Sequence, residues 1–169
     1  MIERRSARQM EARFSTTSPE ETRRLGTLLG ERLVSGSVVA LTGDLGSGKT
    51  VLVQGISLGL GFDGYVSSPS FVIVNEYEGR LRIFHVDLYR MDGPELLDGL
   101  GYRELFWGDG VALVEWAERA GDLLPAERLD VSIDSSDRSE RLFVMRGEGT
   151  ESVRMLESLS AAWDGGDRD

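Results

Sequence analysis

The 169-residue chain contains no cysteine and a single histidine, His85. Without cysteine, the protein cannot form disulfides, use a thiolate as a nucleophile or bind zinc through sulfur. One histidine also excludes a multi-histidine metal site within one chain. No run of about 18 apolar residues predicts a membrane-spanning helix, and the charged N-terminus lacks the apolar centre of a signal peptide. The sequence therefore predicts a cytoplasmic protein with no membrane partner.

Positive charge is scarce as well, since 19 Lys and Arg oppose 29 Asp and Glu and leave a formal net charge of −10. Proteins that neutralise nucleic-acid phosphates need clustered cations. We therefore expect no DNA partner, and we expect any RNA substrate to be held by another protein. Length and composition predict one globular domain. We place this domain at residues 14–163, after a flexible N-terminal extension (1–13) and before a disordered tail (164–169).

An apolar run at residues 38–42 leads into a glycine-rich segment that ends in Lys49 and Thr50. This segment meets the phosphate-loop signature G-x-x-x-x-G-K-[ST]. Its glycines allow backbone N–H groups to turn toward phosphate oxygens, Lys49 adds a charge for the outer phosphates, and the Thr50 hydroxyl is placed to ligate Mg²⁺. The predicted nucleotide-binding residues are Gly43, Asp44, Leu45, Gly46, Ser47, Gly48, Lys49, Thr50 and Val51.

Two residues outside the loop are further candidates for contact with a nucleotide. Ser18 precedes Pro19 and a helical stripe of leucines, so it is expected to cap a helix, and it can also lie against a nucleotide base. Arg138 lies between two predicted strands, at 129–133 and 141–146. It is a candidate for contact with the base or a phosphate, although a surface salt bridge is the simpler expectation.

A predicted β-hairpin spans residues 71–77 and 81–87, so the sheet around the phosphate loop is expected to be mixed. Its second strand puts His85 and Asp87 on one face at a strand end, where ligands bind in open α/β sheets. Asp87 either acts on a metal or on the attacking water, or it caps a helix. His85 is either part of such a site or a buried structural histidine. The sequence leaves these alternatives open.

The apolar run at residues 111–114 ends at Glu115, which is the layout of a Walker B strand whose terminal carboxylate holds Mg²⁺. We expect Glu115 to bind the metal together with Thr50. Trp116 follows directly, and it is either adjacent to the nucleotide or a partner, or a half-buried structural residue. The last predicted element is an amphipathic helix at 150–163.

The chain resembles the bacterial ATPase subunit of tRNA N6-threonylcarbamoyladenosine biosynthesis, the TsaE (formerly YjeE) family. The resemblance rests on the motifs GDLGSGKT, SSPSFVIVNEY, HVDLYR and VEWAE, within residues 14–146. It implies an α/β fold, a single P-loop NTPase domain with a mixed, mainly parallel sheet flanked by helices. It also implies ATP and Mg²⁺ as cofactors.

The resemblance further implies a partner, a heterodimer of the TsaB–TsaD type, that carries out the threonylcarbamoyl transfer at position 37 of tRNAs reading A-starting codons. The ATPase then meets tRNA only through that complex. By position, Lys49 and Asp87 become the catalytic candidates, and Thr50 and Glu115 the magnesium ligands. Residues 67–71 become a switch-like loop.

The alternative function is a small-molecule kinase that uses the same phosphate loop. A kinase needs an acceptor site and usually a lid that carries arginines, but Arg80, Arg82 and Arg90 are scattered along the sequence. A GTPase is disfavoured because no Asn-Lys-x-Asp segment for guanine recognition occurs in the chain. The residues therefore favour an ATPase.

Overall fold

The computed structural model describes residues 8–69, 73–93 and 95–166, and these residues alternate strands and helices around one sheet. The strands are β1 (Gln9–Thr16), β2 (Val38–Gly43), β3 (Val74–Glu78), β4 (Arg82–Asp87), β5 (Val111–Glu115), β6 (Leu129–Asp134) and β7 (Arg141–Glu148). The helices are α1 (Pro19–Gly30), α2 (Lys49–Gly59), α3 (Glu95–Gly99), α4 (Tyr102–Trp107) and α5 (Thr150–Gly165), with a 3₁₀ segment at Ala117–Leu123.

The described strands form one sheet in the order β1-β7-β6-β2-β5-β4-β3. The four central strands, β6, β2, β5 and β4, run parallel to one another. The flanking strands β1, β7 and β3 pair in antiparallel fashion. The predicted mixed α/β sheet is thus confirmed. Because the central strands share one direction, their carboxyl ends meet at one edge, where ligands bind in such sheets.

Both faces of the sheet are covered, which explains why β2 and β5 read as continuous apolar runs. One face packs against α1, α2 and α5, and the other against α3, α4 and the 3₁₀ segment. The helix residues buried on the first face include Leu25, Leu29, Leu52, Ile56, Leu156 and Leu159. Those on the second include Leu97, Phe106, Ala117 and Ala120.

The N-terminal part of the domain begins earlier than the sequence predicted. Residues 9–13, expected in a flexible extension, belong to β1, which pairs with β7 over its whole length. The physical reason is a strand alternation in which Met10, Ala12 and Phe14 point to the core and polar residues lie between them. The remainder of the expected extension, residues 1–7, lies outside the described residues.

The other boundaries differ less. The predicted hairpin is confirmed as β3 and β4, which pair from Val74 opposite Val86 to Glu78 opposite Arg82. Its first strand begins later than expected, since Ile73 lies in a bend, and Phe71 and Val72 lie outside the described residues. The expected tail at 164–169 is wrong in its first two residues, since α5 continues to Gly165. Residues 167–169 lie outside the described part. Each helix described here falls short of the length and apolar character that a bilayer span requires.

Candidate nucleotide-binding site

The phosphate loop connects β2 to α2 at the edge where the parallel strands end. Gly46 and Gly48 have φ angles of 77° and 106°, a left-handed backbone that side chains with a Cβ rarely adopt. Gly48 is also the N-cap of α2, which starts at Lys49. The loop therefore presents its backbone at the positive end of a helix, a ready-made anion site.

Lys49 is almost fully buried, with 5% of its surface exposed. Its ammonium donates to the carbonyl oxygens of Gly43 (2.5 Å) and Asp44 (2.8 Å) and lies 4.3 Å from the centre of the Trp116 ring. Burial lowers the pKa of Lys49, an effect that nearby carboxylates, Glu115 first among them, oppose. A cation in a buried position attracts a phosphate more strongly than a cation in open water does, because the surrounding dielectric constant is lower.

Glu115 ends β5 directly beside the loop. Its carboxylate is buried, and the two oxygens have different partners. Oε1 accepts a hydrogen bond of 2.9 Å from the Thr50 hydroxyl, and Oε2 lies 2.6 Å from Nε2 of His85. The structure thus joins the two expected magnesium ligands. It also assigns His85 as a buried, hydrogen-bonded histidine next to the site.

Asp87 ends β4 and lies opposite Glu115 in the parallel pairing of β4 and β5. Its oxygens accept hydrogen bonds from the Ser68 hydroxyl (2.5 Å) and from the backbone N–H of Tyr89 (2.9 Å). Tyr89 lies in a turn, so the helix-cap alternative for Asp87 is replaced by a turn contact. The contact with Ser68 connects Asp87 to the expected switch-like loop, of which Ser70 and Phe71 lie outside the described residues.

Two clefts share the phosphate-loop residues 46–48 and Val51. The first, with a volume of about 220 Å³, is lined by loop residues 46–48 together with Ser18, Arg138 and Val51. Ser18 also caps α1, since its hydroxyl accepts the Glu21 N–H at 3.1 Å. The structure therefore places Ser18 and Arg138 in a cleft next to the loop. The predicted capping role of Ser18 is also confirmed.

The second cleft, of about 410 Å³, extends from the same loop residues to Asp87, Glu115 and Trp116. Its lining contains the ionisable and hydroxyl groups of the candidate site, namely Lys49, Thr50, Ser68, Asp87 and Glu115, as well as the exposed loop residue Leu45. Asp44, the remaining predicted loop residue, takes part through its backbone carbonyl, which accepts from Lys49.

The donor set of the second cleft fits magnesium. Among the described residues, no group of three or more His, Cys, Asp and Glu side chains is arranged to hold a metal ion. A magnesium ion at a phosphate loop needs only one or two protein oxygens, because phosphates and water complete its octahedron. The Thr50 hydroxyl and the Glu115 carboxylate, 2.9 Å apart, are such a pair.

The sequence left the role of Trp116 open, and the structure places its side chain at the candidate site. Its backbone has a φ of 57°, which is unusual for a bulky residue. In this conformation, the indole lies against the Lys49 ammonium and 4.9 Å from the Tyr89 ring. Tyr77 was not singled out at all, although its hydroxyl lies 3.3 Å from Nδ1 of His85. No local signal marks Tyr77, because this contact depends on strand pairing.

The mixed sheet, the phosphate loop after its central strand and the carboxylate at the end of the neighbouring strand define a P-loop NTPase fold. Comparison with known proteins narrows the class. The family model described as "Threonylcarbamoyl adenosine biosynthesis protein TsaE" matches residues 16–143, and the chain belongs to this family.

Relatives and a solved structure agree with this assignment. The chain is 39% identical over 149 residues to the tRNA threonylcarbamoyladenosine biosynthesis protein TsaE of Bacillus subtilis, covering 88% of this chain and 93% of the relative. It is 40% identical over 121 residues to that of Treponema pallidum, covering 72% and 90%. The crystal structure of YdiB from Bacillus subtilis superposes with a TM-score of 0.81 at 36% identity, covering 93% of this chain and 99% of YdiB.

Proposed function

We propose that the chain is a Mg²⁺-dependent ATPase that supports threonylcarbamoyladenosine formation on tRNA. The observation that carries the proposal is the contact between Thr50 and Glu115, a hydroxyl of the phosphate-loop helix and a buried carboxylate 2.9 Å apart. Lys49 lies next to this pair, with its charge held in a buried position. A buried cation beside two oxygen ligands is what magnesium-assisted phosphoryl transfer requires of the protein.

Each side chain then has a role that follows from its position. Lys49 and the backbone N–H groups of residues 46–48 bind phosphates, while Thr50 and Glu115 hold the metal. The bound Mg²⁺ supplies charge neutralisation at the phosphate oxygens. Asp87, next to Glu115 in the sheet, accepts hydrogen bonds and is suited to orient the attacking water.

The first cleft supports a site for the nucleoside. It offers the Ser18 hydroxyl and the Arg138 guanidinium, whereas Asp87 lines the second cleft. We propose that a nucleotide spans the loop, with its base and ribose toward Ser18 and its outer phosphates toward Glu115. Arg138 is exposed, so its contribution is that of a solvent-screened contact.

The partner is proposed to be a heterodimer of the TsaB–TsaD type, which carries out the transfer and holds the tRNA. The net charge of −10 supports this division, because a chain so acidic repels a polyanion. The relatives bear names of tRNA threonylcarbamoyladenosine biosynthesis proteins, which supports placing this chain in the same process. The proposed location is the cytoplasm.

The positions of the arginines weaken the kinase alternative, because a kinase usually needs a lid that carries arginines. Arg80 donates to the carbonyl oxygens of Gly30 (2.8 Å) and Leu33 (2.7 Å), where it ties the hairpin to the end of α1. Arg82 lies 3.7 Å from Glu78 within the hairpin. Both are engaged outside the two clefts, whereas Arg90, the third, lines the second cleft as the single arginine among its described residues. We therefore retain the ATPase.

The test of nucleotide binding uses the fact that Lys49 is the only lysine in the sequence. Reductive methylation followed by mass spectrometry reports on this one side chain, with the α-amino group as an internal reference. We expect ATP with Mg²⁺ to slow methylation of Lys49 and to leave the reference unchanged. A Lys49 that is methylated without ATP, and at the same rate with ATP, would contradict the phosphate-loop assignment.

The matching variant is Lys49→Ala. Loss of a charged hydrogen-bond donor to phosphate is expected to weaken ATP binding by about 10- to 100-fold, which corresponds to about 1.4–2.8 kcal/mol. Isothermal titration calorimetry measures the change, and Lys49→Arg, which retains the charge, is the control. Unchanged affinity in Lys49→Ala would remove the residue from the site.

The test of the wider role is turnover of ATP by the chain alone and with the heterodimer of its own organism, with modified tRNA assayed in parallel. We expect multiple rounds of modification only when this chain and ATP are both present. Modification that cycles without the chain, or hydrolysis triggered by a small-molecule acceptor, would exclude the proposed role and favour a kinase.

A further inference from the structure

A buried row of side chains lies behind the candidate metal ligands, and the proposed function gives it no role. Tyr77 on β3, His85 on β4 and Glu115 on β5 follow one another across three neighbouring strands. The hydroxyl of Tyr77 lies 3.3 Å from Nδ1 of His85, and Nε2 of His85 lies 2.6 Å from Oε2 of Glu115. The row ends at the Thr50 hydroxyl, 2.9 Å from Oε1 of Glu115.

The direction of these hydrogen bonds follows from the chemistry of the groups. The Glu115 carboxylate already accepts from Thr50 through one oxygen, and a carboxylate oxygen accepts in the same way from Nε2–H of His85. With the proton on Nε2, Nδ1 of a neutral imidazole is an acceptor, and the Tyr77 hydroxyl faces this nitrogen at 3.3 Å and the carbonyl oxygen of Ser67 at 3.4 Å. Burial raises the pKa of Tyr77, which keeps that hydroxyl protonated.

The row also fixes the position of each member. His85 has no exposed surface, and Tyr77 is 8% exposed and stacks on Phe62 with ring centres 4.8 Å apart. A glutamate side chain has three rotatable bonds, so a carboxylate at a strand end can adopt several orientations. The contact of 2.6 Å with His85 selects the orientation in which the other oxygen faces Thr50. Side chains behind metal ligands commonly act in this way.

We propose that His85 is a positioning residue for the metal site, that it holds the Glu115 carboxylate toward Thr50, and that Tyr77 holds His85. This inference rests on the proposed function, since it assumes that Glu115 and Thr50 bind magnesium. It assigns no proton transfer to His85. It predicts that loss of the donor weakens metal binding and leaves metal-free nucleotide binding intact.

A purely structural role makes a different prediction. If His85 only fills space and satisfies its own hydrogen bonds, its replacement changes stability and affects nucleotide and metal to the same degree. If His85 positions Glu115, the effect appears in metal affinity, and a side chain that restores a donor restores the affinity. The comparison of His85→Leu with His85→Gln therefore separates the two roles.

The experiment measures binding of Mn²⁺, a paramagnetic replacement for Mg²⁺, to the full chain in the presence of ADP by electron paramagnetic resonance. ADP binding in EDTA is measured in parallel by calorimetry. The variants are His85→Leu, His85→Gln and Tyr77→Phe. Tyr102→Phe is the matched control, because it removes the same hydroxyl from a tyrosine whose partner is Arg103, away from the site.

We expect His85→Leu to weaken Mn²⁺ binding by about 10- to 100-fold, the range found for residues behind metal ligands. His85→Gln should retain most of the affinity, Tyr77→Phe should show a smaller loss than His85→Leu, and Tyr102→Phe should match the wild type. In all variants, the affinity for ADP without metal should stay within about threefold of the wild-type affinity. This is less than the tenfold change that about 1.4 kcal/mol represents.

Wild-type Mn²⁺ affinity in both His85→Leu and Tyr77→Phe would overturn the inference, as would equal losses in His85→Leu and His85→Gln. If His85→Leu does not fold, Tyr77→Phe and His85→Gln decide the question. A wild-type chain that binds no Mn²⁺ with ADP would overturn the proposed function together with this inference, and that outcome is distinct because it is seen before any variant is compared.

Discussion

Because α1 and α2 pack closely at Gly30, we expect Gly30→Ala to lower the stability of the fold. A Cβ atom at Gly30 would lie 2.2 Å from the carbonyl oxygen of Ile56 and 3.0 Å from the Cα of Gly59. Both neighbours are backbone atoms, so no side-chain rotation relieves the overlap. Since real Cβ contacts of this kind stay beyond 3.0 Å, the two helices must move apart by close to 1 Å, against an interior packed to crystal-like density.

The magnitude is set by two opposing effects. Overpacking of this kind destabilises proteins by about 1–3 kcal/mol. Alanine favours a helix over glycine by up to about 1 kcal/mol in a helix interior, and by less at Gly30, which is the last residue of α1. We expect a net loss of about 2 kcal/mol. For a chain of this size, that corresponds to a fall of about 4–8 °C in Tm.

Urea unfolding with an unchanged m-value is the appropriate assay, and Gly165→Ala is the matched control. Gly165 is also the last residue of a helix, but nothing lies within 4 Å of the Cβ position there. We expect Gly165→Ala to be neutral or slightly stabilising. A Gly30→Ala protein as stable as the wild type would refute the argument from close helix contact.

Two further predictions concern catalysis and pH. Asp87→Asn is expected to lower ATP turnover by about 100-fold or more while ATP affinity changes less than threefold, since a positioned acid or base contributes about that factor. Normal turnover would reduce Asp87 to a turn-forming residue. The pKa of Glu21 is lowered from its ordinary 4.5, chiefly by the backbone N–H of Thr17. Because its folded-state pKa is the lower one, the carboxylate stabilises the fold above pH 4.5, and this contribution disappears as the pH falls through the lowered pKa. The difference in urea midpoint between wild type and Glu21→Ala should therefore be present at pH 7 and shrink below pH 4.5, and a difference that is the same at all pH values would contradict the assignment.

The parts of the fold that the sequence predicted are those with a local cause. The phosphate loop is set by its glycines, α1 by Ser18 and Pro19 at its start, and the hairpin by two strands with a short connection. The strand β1 had a local cause too, the alternation at residues 10, 12 and 14, but Arg4, Arg5, Arg8 and Arg13 before and within it favoured a solvated extension.

The parts that the sequence did not predict depend on contacts between distant segments. His85 and Glu115 are 30 positions apart and meet because β4 pairs with β5, whereas the joint site of Thr50 and Glu115 was expected from their motifs. Nothing in either segment specifies which strand becomes the neighbour of β2. The cation–π contact of Lys49 with Trp116 likewise depends on the positive φ of Trp116, for which no glycine or asparagine gave a signal.

The strand order accounts for the proposed division of roles between the two carboxylates. Neighbouring strands lie about 4.8 Å apart, so a group on the strand next to β2 can contact the phosphate loop, while a group two strands away is about 10 Å from β2. Glu115, on β5, accepts a hydrogen bond from Thr50, and Asp87, on β4, accepts one from Ser68. A ligand that must share a metal with the loop belongs on the nearer strand. A residue that orients water beyond the outermost phosphate belongs on the farther one, which is why exchanging Glu115 and Asp87 for each other is expected to abolish turnover although both charges remain.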